Sequence, residues 1–226
     1  MARWLSEADH ARVSAAVEAA EAKTAGEIVT VVADRSDGYS DVALAWAAIA
    51  AFTALVVLAL LPEFYLDKVD WLLDNWQHEW TSGEIFTLAA VVGIAKFLGM
   101  LLLLQLWPRL KFWLVLPPIK TARTLARAVD LFKVGAERRT HGRTGILIYL
   151  SMREHRAHII ADEAIASKVT PETWGDAMAA MLAEIRHGRS ADGMIAAVER
   201  VGAVLAEHFP RAADDRNELP DRLIEL

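Results

Sequence analysis

The sequence predicts an α/β fold: a small sheet of about three or four strands, flanked by helices and interrupted by a two-helix transmembrane hairpin. Three observations carry this. The runs GEIVTVVA (26–33), TGILIYLS (144–151) and RAHIIA (156–161) have strand character, with β-branched and large apolar residues bounded by polar turns. Helical periodicity surrounds them. Between the first strand and the second lie two long apolar runs, VALAWAAIAAFTALVVLALL at 42–61 and IFTLAAVVGIAKFLGMLLLLQLW at 85–107.

The chain begins with a helix over residues 6–22, for which Ser6 is the N-cap and Asp9 completes a capping box three positions on. In GEIVTVVA, Ile28, Thr30 and Val32 point one way and Val29, Val31 and Ala33 the other, so neither face suits water. This strand needs neighbours on both edges. A helix over 42–61 is about 30 Å long, the hydrocarbon thickness of a bilayer, and 85–107 is long enough to cross with some tilt. The first run carries no charge and the second carries one, Lys96.

Orientation follows from Lys and Arg, which hold loops on the cytoplasmic side. The stretch 62–83 has Glu63, Asp67, Asp70, Asp74 and Glu79 against Lys68 alone. After the second run come Arg109, Lys111, Lys120, Arg123, Arg127, Lys133, Arg138, Arg139 and Arg143 against Asp130 and Glu137. Both termini are therefore expected in the cytoplasm, with the protein integral to the inner membrane. Trp71, Trp76, Trp80, Trp107 and Trp113 fall near the span ends, where indoles favour the headgroup layer. The N-terminal stretch lacks the basic start and apolar centre of a secretory signal.

Beyond the insertion, residues 119–139 read as a helix burying Ala122, Leu125, Val129, Phe132 and Ala136. TGILIYLS is again apolar on both faces. With the turn MREHR and RAHIIA it forms a hairpin whose second strand, with Arg156 and His158 on the face of Ile160, is an edge. Thr170 and Pro171 open a helix that turns Trp174, Met178, Met181, Leu182 and Ile185 inward and stops at Gly188. Ser190 caps another, carrying Met194, Val198, Val201 and Leu205 as far as Pro210. The expected organisation is a first domain part at 1–41, a transmembrane hairpin at 42–107 with an acidic outer loop at 62–83, and a second domain part at 108–210. Residues 211–226 read as a polar, mobile tail.

Composition narrows the chemistry. Of 226 residues 54% are hydrophobic and 24% charged, a mixture that suits a soluble part joined to a membrane part. The absence of cysteine excludes disulfides, thiolate metal sites and cysteine nucleophiles. A net charge of −6 argues against nucleic acid as a partner. No phosphate-loop, dinucleotide, nucleophile-elbow or zincin motif occurs.

Three stretches together resemble the TPM domain, the module of a thylakoid lumen protein, a photosystem II repair factor and many bacterial membrane proteins. They are TAGEIVTVVADRSDGYSD (24–41), RTGILIYLSMREHRAHIIADEAIASKV (143–169) and WGDAMAAMLAEIRHGRSADGMIAAVERVGAVLAEHF (174–209). The chain is similar to a membrane subgroup in which two spans interrupt the domain. That resemblance implies a divalent cation such as Ca2+ as cofactor, weak phosphatase activity, and a part in membrane-protein or envelope maintenance. Many relatives carry a glycine-rich turn after the third strand, where this chain reads ADEAI.

The candidate cation ligands are Glu27 at the entry of the first strand, Asp34 and Asp37 at its exit, and Asp162 after the third strand. Hard cations take several oxygens from loops at strand ends, and Asp34, Asp37 and Asp162 are expected to converge there. Asp162 reads equally well as the N-cap of DEAIASK. Arg138, Arg139 and Arg143 form a basic stretch for a phosphate or for anionic lipid, each worth about 1 kcal/mol at a membrane surface. Lys96 costs about 2.5–3.5 kcal/mol at mid-span, which calls for a polar partner from another chain or for snorkelling. The expected partners are thus the bilayer, a membrane or cytoplasmic protein, and further copies of the chain. The leading expectation is a binding module; a divalent-metal-dependent phosphatase and a subunit of an oligomeric membrane assembly stand beside it.

Overall fold

The structure is a computed structural model, described for residues 4–73, 79–135, 144–170, 172–211 and 218–226. Its described residues form four strands and nine helices in two compact units, residues 1–37 with 117–226 and residues 38–116.

The first unit is built on strands β1 (Glu27–Ala33), β2 (Gly145–Ser151), β3 (Arg156–Ala161) and β4 (Ile224–Glu225), ordered β3-β2-β1-β4. β1 runs parallel to β2 in register from Glu27↔Gly145 to Ala33↔Ser151, and β3 returns antiparallel on β2. The two strands read as apolar on both faces are buried along their whole length. The half-polar third is the edge, as its alternation requires.

Helices cover both faces. On one, Ile28, Val32, Ile146, Ile148 and Leu150 share a core with α1 (Glu7–Glu21), α8 (Thr173–Arg186) and α9 (Ser190–His208). Ser6 and Asp9 make the predicted capping box at the start of α1. α8 begins later than its sequence suggests, with Glu172 as N-cap, and stops at Gly188, whose φ of +76° only glycine adopts freely. Arg189, not Ser190, holds the N-cap position of α9.

On the other face, Val29, Val31, Leu147 and Tyr149 pack on Ala128 and Phe132 of α6 (Pro117–Gly135). This corrects the phase predicted for α6. Thr124, Ala128 and Phe132 face the sheet, whereas Leu125 is exposed. Thr124 is tolerated inside because its Oγ1 bonds the Thr121 carbonyl and lies 2.9 Å from His158 Nε2. A short α7 (Glu163–Ala166) follows β3. The tail is also corrected. Residues 218–226 are not loose: Leu219 and Leu223 are buried, and Ile224 and Glu225 form β4 on the free edge of β1.

The second unit holds α2 (Ser40–Leu60), α3 (Pro62–Leu73), α4 (Ser82–Leu106) and α5 (Pro108–Leu114). α2 and α4 are long and apolar enough to span a membrane, and they pack together where Gly93 admits the Leu55 side chain. Ile49, Phe52, Val56, Phe86, Ile94, Leu98 and Leu102 remain exposed on them, unlike the side chains of a soluble core helix. Lys96 is exposed on α4.

Candidate functional site

Strand polarity decides which predicted ligands meet. Parallel pairing puts the exits of β1 and β2 at the same end of the sheet, while β3 returns the chain to the entry of β2. Asp162 donates its amide to the Gly145 carbonyl at 2.9 Å, and Glu27 pairs with the same Gly145. Asp34 and Asp37 leave from the other end, roughly 20 Å away at 3.3 Å per strand residue. The expected convergence of Asp34, Asp37 and Asp162 therefore does not occur. Among the described residues no group of three His, Cys, Asp or Glu side chains is arranged to hold a metal ion.

Each predicted ligand has a local task. The Asp162 side chain accepts from the Glu163 amide and caps α7, its alternative reading. Glu27 accepts from the Glu218 and Leu219 amides at 3.2 and 3.1 Å, fastening the C-terminal segment. Arg138, Arg139 and Arg143 lie outside the described residues.

At the strand exits a polar cluster forms that the sequence showed only in part. Asp34 Oδ1 accepts from Arg153 Nε at 2.9 Å and from Trp4 Nε1 at 3.0 Å. Partial burial alone would raise its pKa, but the hydrogen bonds from Arg153 and Trp4 outweigh that and hold it below the usual carboxylate range. Asp37 pairs with Arg123 of α6 at 3.3 Å. Beneath them Glu154 takes the Ser36 amide at 2.9 Å and the Ser151 hydroxyl, and Ser36 Oγ lies 2.8 Å from the Tyr149 hydroxyl. Burial pushes the Tyr149 pKa up. The next residue, His155, turns the chain with φ +50°, a left-handed conformation uncommon outside glycine that histidine adopts more often than most side chains.

Depth separates structure from access. Ser151 is fully buried and Glu154 is 3% exposed, so their hydrogen bond ties the β2 exit to the turn and presents no nucleophile to a substrate. The Asp34 and Asp37 side chains are 28% and 30% exposed, and their arginine partners more so. The accessible rim thus alternates carboxylate and guanidinium. Its oxygens are hard donors that suit Ca2+ or Mg2+, and its arginine forks suit phosphate. Arg123, Arg153, Glu154, Ser36 and Tyr149 escaped sequence reasoning. The signals were present in the polar run DRSDG after β1 and in MREHR after β2, which parallel pairing brings together.

Comparison with known proteins agrees with this architecture. Residues 115–204 match the TPM domain family. Over this stretch the chain is similar to a TPM domain. The match begins after the apolar insertion, and the structure adds to it α1 and the central strand β1 from before the insertion. A similar fold occurs in the NMR structure of the BA42 protein of the psychrophilic bacterium Bizionia argentinensis. The two align with a TM-score of 0.57 at 16% identity over 100% of this chain and 98% of that one, a likeness of fold. No curated protein sequence matches.

Proposed function

We propose that this protein is a membrane-anchored TPM module that binds a divalent cation at the exits of β1 and β2, without turning over a substrate. In this reading α2 and α4 cross the inner membrane, the acidic 62–83 loop is outside, and both termini with the α/β unit are cytoplasmic. The observation that carries it is the pair of partly exposed carboxylates, Asp34 and Asp37, outside the carboxyl ends of two adjacent parallel strands. That is the crevice in which open α/β sheets receive ligands. Arg153 and Arg123 stand in for the cation's charge, so binding exchanges one ion pair for another. A bound cation in turn gives a partner protein in membrane maintenance a charge-dependent surface to recognise.

The reading is tested by calorimetry with Ca2+, Mg2+ and Mn2+ on the detergent-solubilised full chain. At least one cation should bind, Asp34→Asn should weaken it about tenfold or more, and Asp162→Asn should leave it unchanged. Heat for none of the three removes the cation from the reading. The second reading, a metal-dependent phosphatase, is favoured by Arg123 and Arg153 beside those carboxylates. Phosphoester hydrolysis that disappears with Asp34→Asn would establish it.

A further inference from the structure

β1 is buried on both faces, yet its two edges are covered very differently. β2 pairs with all seven of its residues, whereas β4 pairs only with Val31 and Val32. The rest of that outer edge is closed piecemeal. The Glu21 carboxylate takes the Ile28 amide at 2.6 Å, where a neighbouring strand would place a carbonyl. Leu226 bonds the Val32 carbonyl and the Asp34 amide, each at 2.9 Å.

The segment doing this, 218–226, is recognised along its whole length. Leu219 enters the core beside Phe132, and Leu223 enters the opposite core with Val13 and Val17. The Leu223 amide donates to Ser14 Oγ at 3.3 Å, and Glu225 accepts from the Trp4 amide and meets His10 Nε2 at 2.8 Å. Backbone bonds to an open edge, with spaced apolar anchors supplying selectivity, are how sheets receive an added strand. These contacts run to residue 4, α1, β1 and its exit, about two hundred positions earlier in the chain, and to α6.

We propose that the outer edge of β1 is an exchangeable strand-docking site, filled by residues 218–226 of a second copy of this chain to give a strand-exchanged dimer. The identical segment makes identical contacts in trans, so cis and trans docking differ in connectivity and effective concentration, not in local chemistry. Tethering favours the cis arrangement at low protein concentration, so the exchanged fraction rises as the protein is concentrated. The proposal needs no cation and stands apart from the ligand reading of the strand exits.

The absence of cysteine makes the test clean. Full-length copies bearing only Ser14→Cys are mixed in detergent with copies bearing only Arg222→Cys and treated with a short bis-maleimide. A second pair, His10→Cys with Glu225→Cys, reports from further along the segment. Exchange predicts cross-linked dimer from the mixtures at several times the yield of either copy alone, and a fall of about tenfold with excess ELPDRLIEL peptide. Cross-linking confined to single chains carrying both cysteines, with mixtures no better than single copies, overturns the proposal. So does failure of both pairs in cis and in trans.

Discussion

Glu21 carries out two tasks with one carboxyl group: it ends the buried stripe of α1 and it satisfies the Ile28 amide on the edge of β1. Burial, with Glu27 and Asp221 close by, pushes its pKa up to about 8 against the opposing pull of the Ile28 amide. An unfolded glutamate titrates near 4.5. The folded state therefore binds the proton more tightly, and this contribution, fully present below pH 4.5, is lost as pH rises through 8. The loss is on the order of 3 kcal/mol. Glu21→Gln keeps the acceptor for Ile28 and cannot ionise. Denaturant unfolding between pH 5 and 8.5 should show wild-type stability falling with pH and the variant's curve flattened, the variant being the more stable at pH 8.5. His158 acts in the opposite sense: burial, aided by Arg156, lowers its pKa below 6.5, so its contribution is present above that pH and lost in acid. A slope unchanged by Glu21→Gln would assign the pH dependence to another group.

Among the elements, those with a strong period were legible and those whose placement depends on a distant neighbour were not. Apolarity on both faces identified β1 and β2 as interior, and alternation identified β3 as an edge. Their pattern says nothing of polarity, and only the parallel pairing of β1 with β2 sends Asp162 to the end opposite Asp34. α6 was misphased because Thr124 counts as polar in a sequence but has both its hydrogen-bond needs met inside. β4 has two residues and hence no period, so only the buried spacing of Leu219 and Leu223 could have betrayed the segment. Of the candidate site, Asp34 and Asp37 were readable as a strand exit, whereas their arginines, from α6 and from the β2–β3 turn, were not. Helix contact was not read from the sequence: the α8–α9 crossing is close because Gly193 faces α8. A Cβ there would lie 2.8 Å from the Met181 carbonyl oxygen, a backbone atom that cannot swing aside. Gly193→Ala should therefore destabilise by about 1–3 kcal/mol despite the better helix propensity of alanine. A thermal midpoint equal to or above wild type would show the helices free to part.

At the scale of the whole molecule, one constraint binds the apolar insertion to the sheet. β1 precedes residues 38–116 and β2 follows them, yet the two strands pair over seven residues. A bilayer cannot separate hydrogen-bonded strands, so the insertion crosses it an even number of times: α2 and α4 both span, or neither does. Charge favours the first, since 62–83 is acidic and 108–143 is basic. Single cysteines, free of background in a chain with none, distinguish the cases. Arg35→Cys and Ala179→Cys, both at exposed positions of the α/β unit, should resist a membrane-impermeant maleimide in intact cells and react after permeabilisation. Glu79→Cys should react in intact cells. Protection of all three would mean that the helices do not cross. Opposite behaviour of positions 35 and 179 would place β1 and β2 in different compartments, and the sheet on which the strand-exit site is built would not exist.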